Sequence, residues 1–127
     1  MIKIACIFCD LPAKRIELEN QRAIAIYDRY PVNQGHMLII PRRHFANFFE
    51  ARDEEVIAMN DLLKEARDYL DEKFNPDGYN IGININEAAG QTVMHLHIHL
   101  IPRYQGDIDD PRGGIRKLKK ELVPYNG

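Results

Sequence analysis

Two apolar runs in the first third of the chain predict a pair of buried strands. Residues 23–27 (Ala-Ile-Ala-Ile-Tyr) and residues 36–40 (His-Met-Leu-Ile-Ile) are almost free of polar side chains. Pro31, Asn33 and Gly35 lie between the two runs, and residues of these types favour turns. The pattern therefore predicts an antiparallel hairpin with a long connecting loop.

The middle of the chain has the repeat of an amphipathic helix from Asp53 to Phe74. Its apolar residues recur at spacings of three and four, so they share one helix face that packs against the core. These residues are Val56, Met59, Leu62, Leu63, Ala66, Tyr69 and Leu70. We expect Asp53 to cap the N-terminus of the helix and the turn signal at residues 75–78 (Asn-Pro-Asp-Gly) to end it.

The second half of the chain predicts two further strands. Residues 79–86 alternate Tyr or Ile with Asn or Gly, which is typical of a strand with one apolar and one polar face. Residues 93–101 form the last predicted strand, and the chain after Pro102 is charged and rich in glycine. The order strand, strand, helix, strand, strand favours an α+β fold with a mainly antiparallel sheet.

Composition and charge limit the classes of function. The 127 residues suit one compact domain, and 45% hydrophobic with 28% charged residues is ordinary for a globular protein. The net charge is −2 with no basic stripe, which argues against nucleic-acid binding, and no apolar run approaches the ~20 residues of a membrane span. Residues 1–7 lack the features of a signal peptide, and two cysteines form no disulfide framework, so we expect a cytoplasmic protein.

Three of the five histidines alternate with aliphatic residues, at His95, His97 and His99. Residues at such spacing in a strand share one face, so the imidazoles would line one side of the sheet roughly 7 Å apart. Asn84 and Asn86 would lie beside them if the last two strands pair as a hairpin. A single histidine would favour a structural role, but three in register favour an active site or a zinc site that uses all three.

This arrangement suits nucleophilic attack on phosphorus. An imidazole whose Nδ1–H donates to a carbonyl keeps a lone pair on Nε2, and that nitrogen is a nucleophile near neutral pH. The preceding residues Gly90, Gln91 and Thr92 offer backbone amides and a hydroxyl for binding phosphate oxygens. The stretch from Gly90 to His99 is therefore a candidate active site.

Cys6 and Cys9 form a second candidate site near the N-terminus. Their C-x-x-C spacing lets two thiolates bind one tetrahedral zinc ion. The same spacing occurs in redox pairs and in pairs of buried cysteines, so the two residues leave three interpretations open. A redox pair usually opens a helix in a thioredoxin-like pattern, and no such pattern surrounds these cysteines.

The stretch from Ala89 to Arg103 (AGQTVMHLHIHLIPR) resembles the signature of the histidine triad (HIT) superfamily of nucleotide hydrolases and transferases. Residues 6–9 (CIFC), 31–36 (PVNQGH) and 40–44 (IPRRH) match further landmarks of that superfamily in the same order. The resemblance therefore covers most of the chain, from Cys6 to about Asp107.

The resemblance implies the fold and the assembly of the protein. We expect one HIT domain over residues 1–127, with a five-stranded antiparallel sheet and two helices, assembled as a homodimer. The motifs occupy a core of about residues 6–107. Residues 108–127 form a tail that we expect to be irregular, and we assign it no role.

The resemblance also implies roles for individual residues. His97 would attack the α-phosphate of a nucleotide and form a nucleotidyl-histidine, which water or another acceptor then cleaves, and His36 would support the triad. Residues at the ribose, phosphate and leaving-group positions are Asp28, Asn84, Gly90, Gln91, Thr92 and His99. Residues at the apolar base pocket are Ile7, Phe8, Leu11, Ile26 and Tyr27.

Zinc-containing relatives bind the ion with residues that correspond to Cys6, Cys9, His44 and His95, so a structural zinc is the expected cofactor. Residues 101–107 (IPRYQGD) resemble the fragile-histidine-triad and bacterial diadenosine-polyphosphate branch. We expect an enzyme that cleaves dinucleoside polyphosphates or related nucleotides at the α-phosphate. The alternatives are an adenosine 5′-monophosphoramidase and a nucleotide-binding protein with vestigial activity. The expected partners are a nucleotide and a second copy of the chain, without nucleic acid or membrane.

Overall fold

A computed structural model describes residues 6–119 of the chain. It contains five strands and one long helix. In chain order these are β1 (Ile16–Glu19), β2 (Ala23–Tyr27), β3 (Met37–Pro41), α1 (Asp53–Phe74), β4 (Gly78–Gly82) and β5 (Ile98–Arg103). Short 3-10 helices lie at Ala13–Arg15, Phe48–Glu50, Glu87–Ala89 and Gly114–Arg116. No helix among these residues is long and apolar enough to cross a membrane.

The five strands form one antiparallel sheet in the order β1-β2-β3-β5-β4. This confirms the expected five-stranded sheet and the hairpin of β2 and β3. The apolar pattern did not predict β1, because Ile16-Glu17-Leu18-Glu19 is only four residues long at the sheet edge. Of the two helices expected, the described residues contain one α-helix, and the other helical segments are single 3-10 turns.

Helix α1 has the predicted bounds and packs on one face of the sheet. Its buried side chains include Met59, Leu62, Ala66 and Leu70. The expected N-cap was wrong by one residue, since Arg52 occupies that position. The Glu55 carboxylate reaches back to the Arg52 amide at 2.9 Å, which satisfies a helix N-terminal donor without an Asp53 cap.

The two faces of the sheet differ in what covers them. Alternate residues of the strands, among them Ala25, Ile39 and Leu100, pack with α1 in the main core. The opposite residues Ile24, Ile26, Leu38 and Ile40 form a second cluster with Phe8, Leu11 and Ile16. His99 pairs with Leu38, so its side chain lies on this second side, which we call the histidine face.

The last two strands are shorter than the pattern predicts. Strand β4 ends at Gly82, and Ile81, expected on the core side, is 52% exposed because β4 is an edge strand. Strand β5 begins at Ile98 rather than residue 93, since the Leu96 amide donates to the Phe45 carbonyl outside the sheet. His95 and His97 therefore precede the strand.

The described part of the chain after β5, up to residue 119, consists of turns and bends without a further strand or α-helix. Gly114–Arg116 forms a 3-10 turn that packs on β4. Residues 120–127 of the predicted tail lie outside the described residues.

Candidate active site and metal centre

His97 has the hydrogen bonding of a nucleophile. Its Nδ1 lies 2.9 Å from the His95 carbonyl oxygen, which can only accept, so Nδ1 carries the proton. The lone pair is then on Nε2, the other ring nitrogen. The edge-to-face contact with the Phe8 ring, at a centroid distance of 5.2 Å, fixes the orientation of the largely buried imidazole.

His36 and His99 form a hydrogen-bond relay that gives His99 the opposite tautomer. The Val32 amide donates to His36 Nδ1 at 3.0 Å, so the proton of His36 is on Nε2. His36 Nε2 lies 3.0 Å from His99 Nδ1 and donates to it. His99 therefore carries its proton on Nε2, where it is a hydrogen-bond donor. His97 and His99, whose rings lie 5.2 Å apart, present a lone pair and an N–H to the same site.

The relay histidines are neutral near pH 7. Burial, together with the neighbouring His97 and His36, lowers the pKa of His99 to about 4, although Asp28 acts in the opposite direction. Burial also lowers the pKa of His36 against the effect of Asp28. Because neither ring takes up a proton at neutral pH, the two tautomers persist there.

Asp28 follows β2 and lies beside this relay. Its Oδ2 is 3.4 Å from His36 Nε2 and 4.0 Å from His99 Nδ1. Its Oδ1 accepts from the Tyr30 amide at 2.8 Å, which holds the carboxylate in place. The structure thus brings the predicted ribose-binding residue next to the histidines, with a partly exposed side chain.

The predicted base pocket is only partly assembled. Phe8, Leu11 and Ile26 belong to the cluster on the histidine face. Tyr27 was a wrong assignment, because its side chain packs in the main core with α1. Consecutive strand residues point to opposite faces, so Ile26 and Tyr27 cannot line the same pocket. Ile7 is 61% exposed.

The loop before the histidines differs from the prediction. The Gly90 and Gln91 amides, expected to face a phosphate, donate to the carbonyls of Glu87 and Asn86. The buried Gln91 side chain accepts from the Asn86 amide and donates to Ala46 and Val93, so it holds the loop together rather than facing a leaving group. Thr92 remains exposed at the loop surface.

The predicted hairpin of β4 and β5 forms, but it does not bring Asn84 and Asn86 into register with the histidines. The ladder ends where Gly82 pairs with His99. Asn84 is half-buried beyond that point, and Asn86 is exposed at the start of the loop.

Cys6, Cys9, His44 and His95 come together as predicted, with their ligand atoms within 4.8 Å of one another. His95 Nδ1 lies 3.4 Å from Cys6 Sγ, 3.6 Å from Cys9 Sγ and 3.1 Å from His44 Nδ1. Cys9 Sγ lies 3.4 Å from His44 Nδ1. Tetrahedral zinc with ordinary bond lengths requires about 3.3 Å between two nitrogens and about 3.5 Å between nitrogen and sulfur. The four residues therefore fit a zinc ion.

The protonation of His95 also suits a metal. Its Nε2 donates to the Pro41 carbonyl at 2.8 Å, which leaves the Nδ1 lone pair directed at the cysteines. Burial lowers the pKa of His95, so the ring stays neutral. Desolvation and the hydrogen bond with Cys6 raise the pKa of Cys9, so a metal is the group that would favour its thiolate.

The sequence pattern did not predict the ion pair between Arg43 and Glu55, which positions the loop carrying His44. Arg43 donates from Nε and Nη2 to the two carboxylate oxygens of Glu55, at 3.0 and 2.7 Å. The buried Glu55 lies in the first turn of α1, so the pair ties the loop to the helix. A glutamate at the third helical position was the available signal, because it is typical of a capping box.

Comparisons with known proteins agree with this geometry. A HIT domain matches residues 12–106. An uncharacterized HIT-like protein of Methanocaldococcus jannaschii is 40% identical over 107 residues, covering 80% of this chain and 81% of the relative. Adenosine 5′-monophosphoramidase of Schizosaccharomyces pombe is 32% identical over 105 residues, covering 79% and 75%.

A zinc-bound histidine triad family protein of Mycobacterium smegmatis superimposes with a TM-score of 0.72 at 34% identity, covering 95% of this chain and 84% of that one. The family match, the sequence relatives and the shared fold lead to one conclusion. The chain belongs to the HIT family, which includes nucleotide-binding proteins and hydrolases.

Proposed function

We propose that the protein is a nucleotidyl hydrolase or transferase that cleaves a dinucleoside polyphosphate or related nucleotide at the α-phosphate. The observation that carries this proposal is the opposite protonation of two adjacent histidines, with a lone pair on His97 Nε2 and a proton on His99 Nε2. A nucleophile beside a hydrogen-bond donor suits displacement at a phosphorus whose oxygens gain charge.

In the first step, His97 Nε2 forms a bond to the α-phosphorus of the substrate. The bond from phosphorus to the leaving-group oxygen breaks, and that oxygen keeps the electron pair. The His99 N–H donates a hydrogen bond to a phosphate oxygen, while the His95 carbonyl stabilises the positive charge that develops on the His97 ring. The product is a nucleotidyl-histidine.

In the second step, the oxygen of water or of another acceptor attacks the same phosphorus. The bond between phosphorus and His97 Nε2 breaks, the nitrogen recovers its lone pair, the O–H proton of the acceptor passes to solvent, and the nucleotide is released. His99 donates in both steps from its neutral ring. Its low pKa describes the loss of the second proton, from the imidazolium, so the neutral ring keeps the Nε2 proton near pH 7. We assign Asp28 to accept from ribose hydroxyls, since it lies beside the relay, and Phe8 and Leu11 to contact the base, since they belong to the cluster on the histidine face.

We assign a structural zinc to Cys6, Cys9, His44 and His95. With four protein ligands the ion has no open position, so when bound it would supply stability rather than Lewis acidity. His95 also orients the nucleophile through its backbone carbonyl. The metal site would therefore hold the residue against which His97 is aligned.

A substrate screen tests the proposed function. Wild type should convert diadenosine tetraphosphate to AMP and ATP, with products identified by chromatography in the presence and absence of inorganic phosphate. His97→Ala should lose activity by several orders of magnitude, as other nucleophile deletions do. The exposed substitution Asn60→Ala on α1 is the control. Residual activity of His97→Ala above about a tenth of wild type, a loss under ~1.4 kcal/mol, would contradict the role of His97.

The second candidate function is an adenosine 5′-monophosphoramidase, as the relative from Schizosaccharomyces pombe is named. The same histidines would carry out that reaction with an amine as the leaving group. Relative kcat/KM for adenosine 5′-phosphoramidate and diadenosine tetraphosphate distinguishes the two enzymes. Binding of both nucleotides without turnover would favour a binding protein.

A further inference from the structure

The N–H of His99 depends on one backbone amide, that of Val32. An amide N–H can only donate, so its bond of 3.0 Å to His36 Nδ1 leaves the proton of His36 on Nε2, from which His36 donates to His99 Nδ1 at 3.0 Å. Asp28 does not fix this arrangement, because its Oδ2 lies 3.4 Å from His36 Nε2 and 4.0 Å from His99 Nδ1 and is an acceptor for either ring. Without the Val32 amide, both rings are free to carry the proton on Nδ1, and His99 then offers a lone pair in place of its N–H.

The Val32 amide lies in the loop between β2 and β3, residues 28–36, whose outer part has little apolar packing. The side chain of Val32 is 65% exposed, and that of Tyr30 is 86% exposed. Gly35 packs closely on Phe74, since a Cβ at that position would lie 2.9 Å from Phe74 Cδ2. This contact holds the end of the loop next to His36, three residues beyond Val32. The position of the Val32 amide therefore depends on polar contacts of the loop.

Asn33, the residue after Val32, joins the loop to the end of β5. Its Nδ2 donates to the Pro102 carbonyl at 3.0 Å and to Asp107 Oδ2 at 2.7 Å. Both partners only accept, so they determine the orientation of the side-chain amide and use both of its protons. The backbone carbonyl of Asn33 accepts from the His36 amide at 3.1 Å. Asn33 is thus bonded to the end of β5 through its side chain and to His36 through its backbone.

Asp107 is a well-held anchor for Asn33. Arg103, the last residue of β5, donates from Nε and Nη2 to the two carboxylate oxygens of Asp107 at 2.9 and 2.8 Å, and the Tyr104 amide donates to Oδ2 at 3.0 Å. Arg103 also donates to Asn80 Oδ1 on β4 at 2.6 Å. The Arg103 guanidinium, with the Tyr104 amide, holds the pKa of Asp107 well below its usual range, so Asp107 is a charged acceptor at neutral pH. The anchor therefore rests on two strands of the sheet.

We propose that Asn33 is a positioning residue that keeps the proton of His99 on Nε2. Its side chain holds the loop on Asp107, and the loop holds the Val32 amide on His36. Asn33 therefore acts through the histidine relay rather than on the substrate. The consequence for catalysis rests on the proposed function, in which the His99 N–H donates to a phosphate oxygen. If that N–H is needed, kcat/KM follows the fraction of molecules in which His99 carries its proton on Nε2.

Histidine tautomers measured by NMR test the inference directly. Long-range proton–nitrogen spectra of the isotope-labelled full chain near pH 7 distinguish a ring protonated on Nδ1 from one protonated on Nε2. Wild type should show the Nε2–H tautomer at His99. In Asn33→Ala, His99 should become a mixture of both tautomers, whereas His97, which donates to the His95 carbonyl, should keep its Nδ1–H tautomer. Asn60→Ala, at an exposed position of α1, is the control.

Further variants separate the side chain of Asn33 from the amide of Val32. Asn33→Asp has the same shape as the wild-type residue but no N–H, so it should give the same mixture at His99 as Asn33→Ala. Val32→Pro removes the N–H that His36 accepts, and it should also give the mixture. Val32→Ala keeps that N–H and shortens an exposed side chain, so His99 should keep the wild-type tautomer. A pure Nε2–H tautomer at His99 in Asn33→Asp or in Val32→Pro would overturn the inference even if Asn33→Ala does not fold.

The kinetics should follow the tautomers. For diadenosine tetraphosphate, kcat/KM of Asn33→Ala should fall about three- to tenfold, in proportion to the Nε2–H fraction of His99. A pure Nε2–H tautomer at His99 in Asn33→Ala would overturn the inference whatever the activity, because a loss of activity would then have a purely structural cause. A mixture with unchanged kcat/KM would support the position of Asn33 and contradict the donor role of His99. Wild type that cleaves no nucleotide would contradict the proposed function, and the NMR spectra would still decide the inference.

Discussion

The fit of Cys6, Cys9, His44 and His95 to a tetrahedron predicts that zinc controls the stability of this protein. Four of the distances among the sulfur and nitrogen atoms already lie between 3.1 and 3.6 Å, close to the edges of a zinc tetrahedron. Little rearrangement is therefore needed for binding, and the unfolded chain has no comparable site. Zinc should bind the folded state selectively and stabilise it.

The magnitude follows from binding linkage. Free zinc at about 1,000 times its dissociation constant would stabilise the folded state by about 4 kcal/mol. For a domain of this size, one kcal/mol corresponds to about 4 °C in melting temperature, so removing the metal should lower Tm by roughly 15 °C. Scanning calorimetry with chelator and with added zinc measures this difference, and elemental analysis should give about one zinc per chain.

Ligand substitutions decide where the metal is. Cys6→Ser/Cys9→Ser should remove both the zinc and the dependence of Tm on chelator. Cobalt in place of zinc should give the intense visible absorption of a tetrahedral site, with thiolate charge-transfer bands that the double variant lacks. Stoichiometric zinc that survives the loss of both cysteines would refute the assignment, as would a melting temperature that chelator does not change.

Three further predictions concern stability and assembly. The free energy of unfolding should fall by up to about 3 kcal/mol as the pH falls from 6.5 to about 4, because His99 takes up a proton in the unfolded chain but stays neutral in the folded protein. In His99→Gln, the free energy of unfolding measured by urea titration should depend less on pH over the same range. The protein should sediment at twice its chain mass of 14.7 kDa, and Ile81→Lys on the exposed edge of β4 should give monomers while Ile57→Lys on α1 does not. Glu55→Gln should lower Tm by several degrees, about 3–6 °C, because Arg43 loses a charged partner; a Tm equal to wild type would show that the pair does not anchor the loop.

The fold was predictable where a long repeat specifies it. The helix bounds follow from 22 residues of regular apolar spacing, and the β2–β3 hairpin follows from two continuous apolar runs. Strand β1 has only four residues and one face against the core, so its pattern is too short to separate from a polar loop. The start of β5 depends on the Leu96 amide bonding to Phe45, a long-range contact that local alternation does not encode.

The candidate site was predictable as a set of residues but not as a set of orientations. The resemblance brought together the residues of the triad and of the zinc cluster, and the structure places them in contact. Tyr27 was placed on the wrong side of the sheet, although the alternation of Ile26 and Tyr27 already separates them. The Gln91 side chain donates a hydrogen bond to the carbonyl of Ala46, which is 45 residues away in the chain. No local sequence pattern predicts such a bond.

The three histidines of the triad are equivalent in the sequence, and their hydrogen-bond partners make them different. His95 donates from Nε2 to the Pro41 carbonyl, which leaves its Nδ1 lone pair directed at the cysteines. His97 donates from Nδ1 to the His95 carbonyl, which leaves its lone pair on Nε2. His99 meets a donor instead, so its proton is on Nε2. His95 therefore couples the two proposed sites, because its ring lies in the cluster of Cys6, Cys9 and His44 and its backbone carbonyl accepts from His97, the proposed nucleophile. A disturbance of the zinc ligands should consequently reach His97 through a single peptide unit, without any change in the residues that contact substrate.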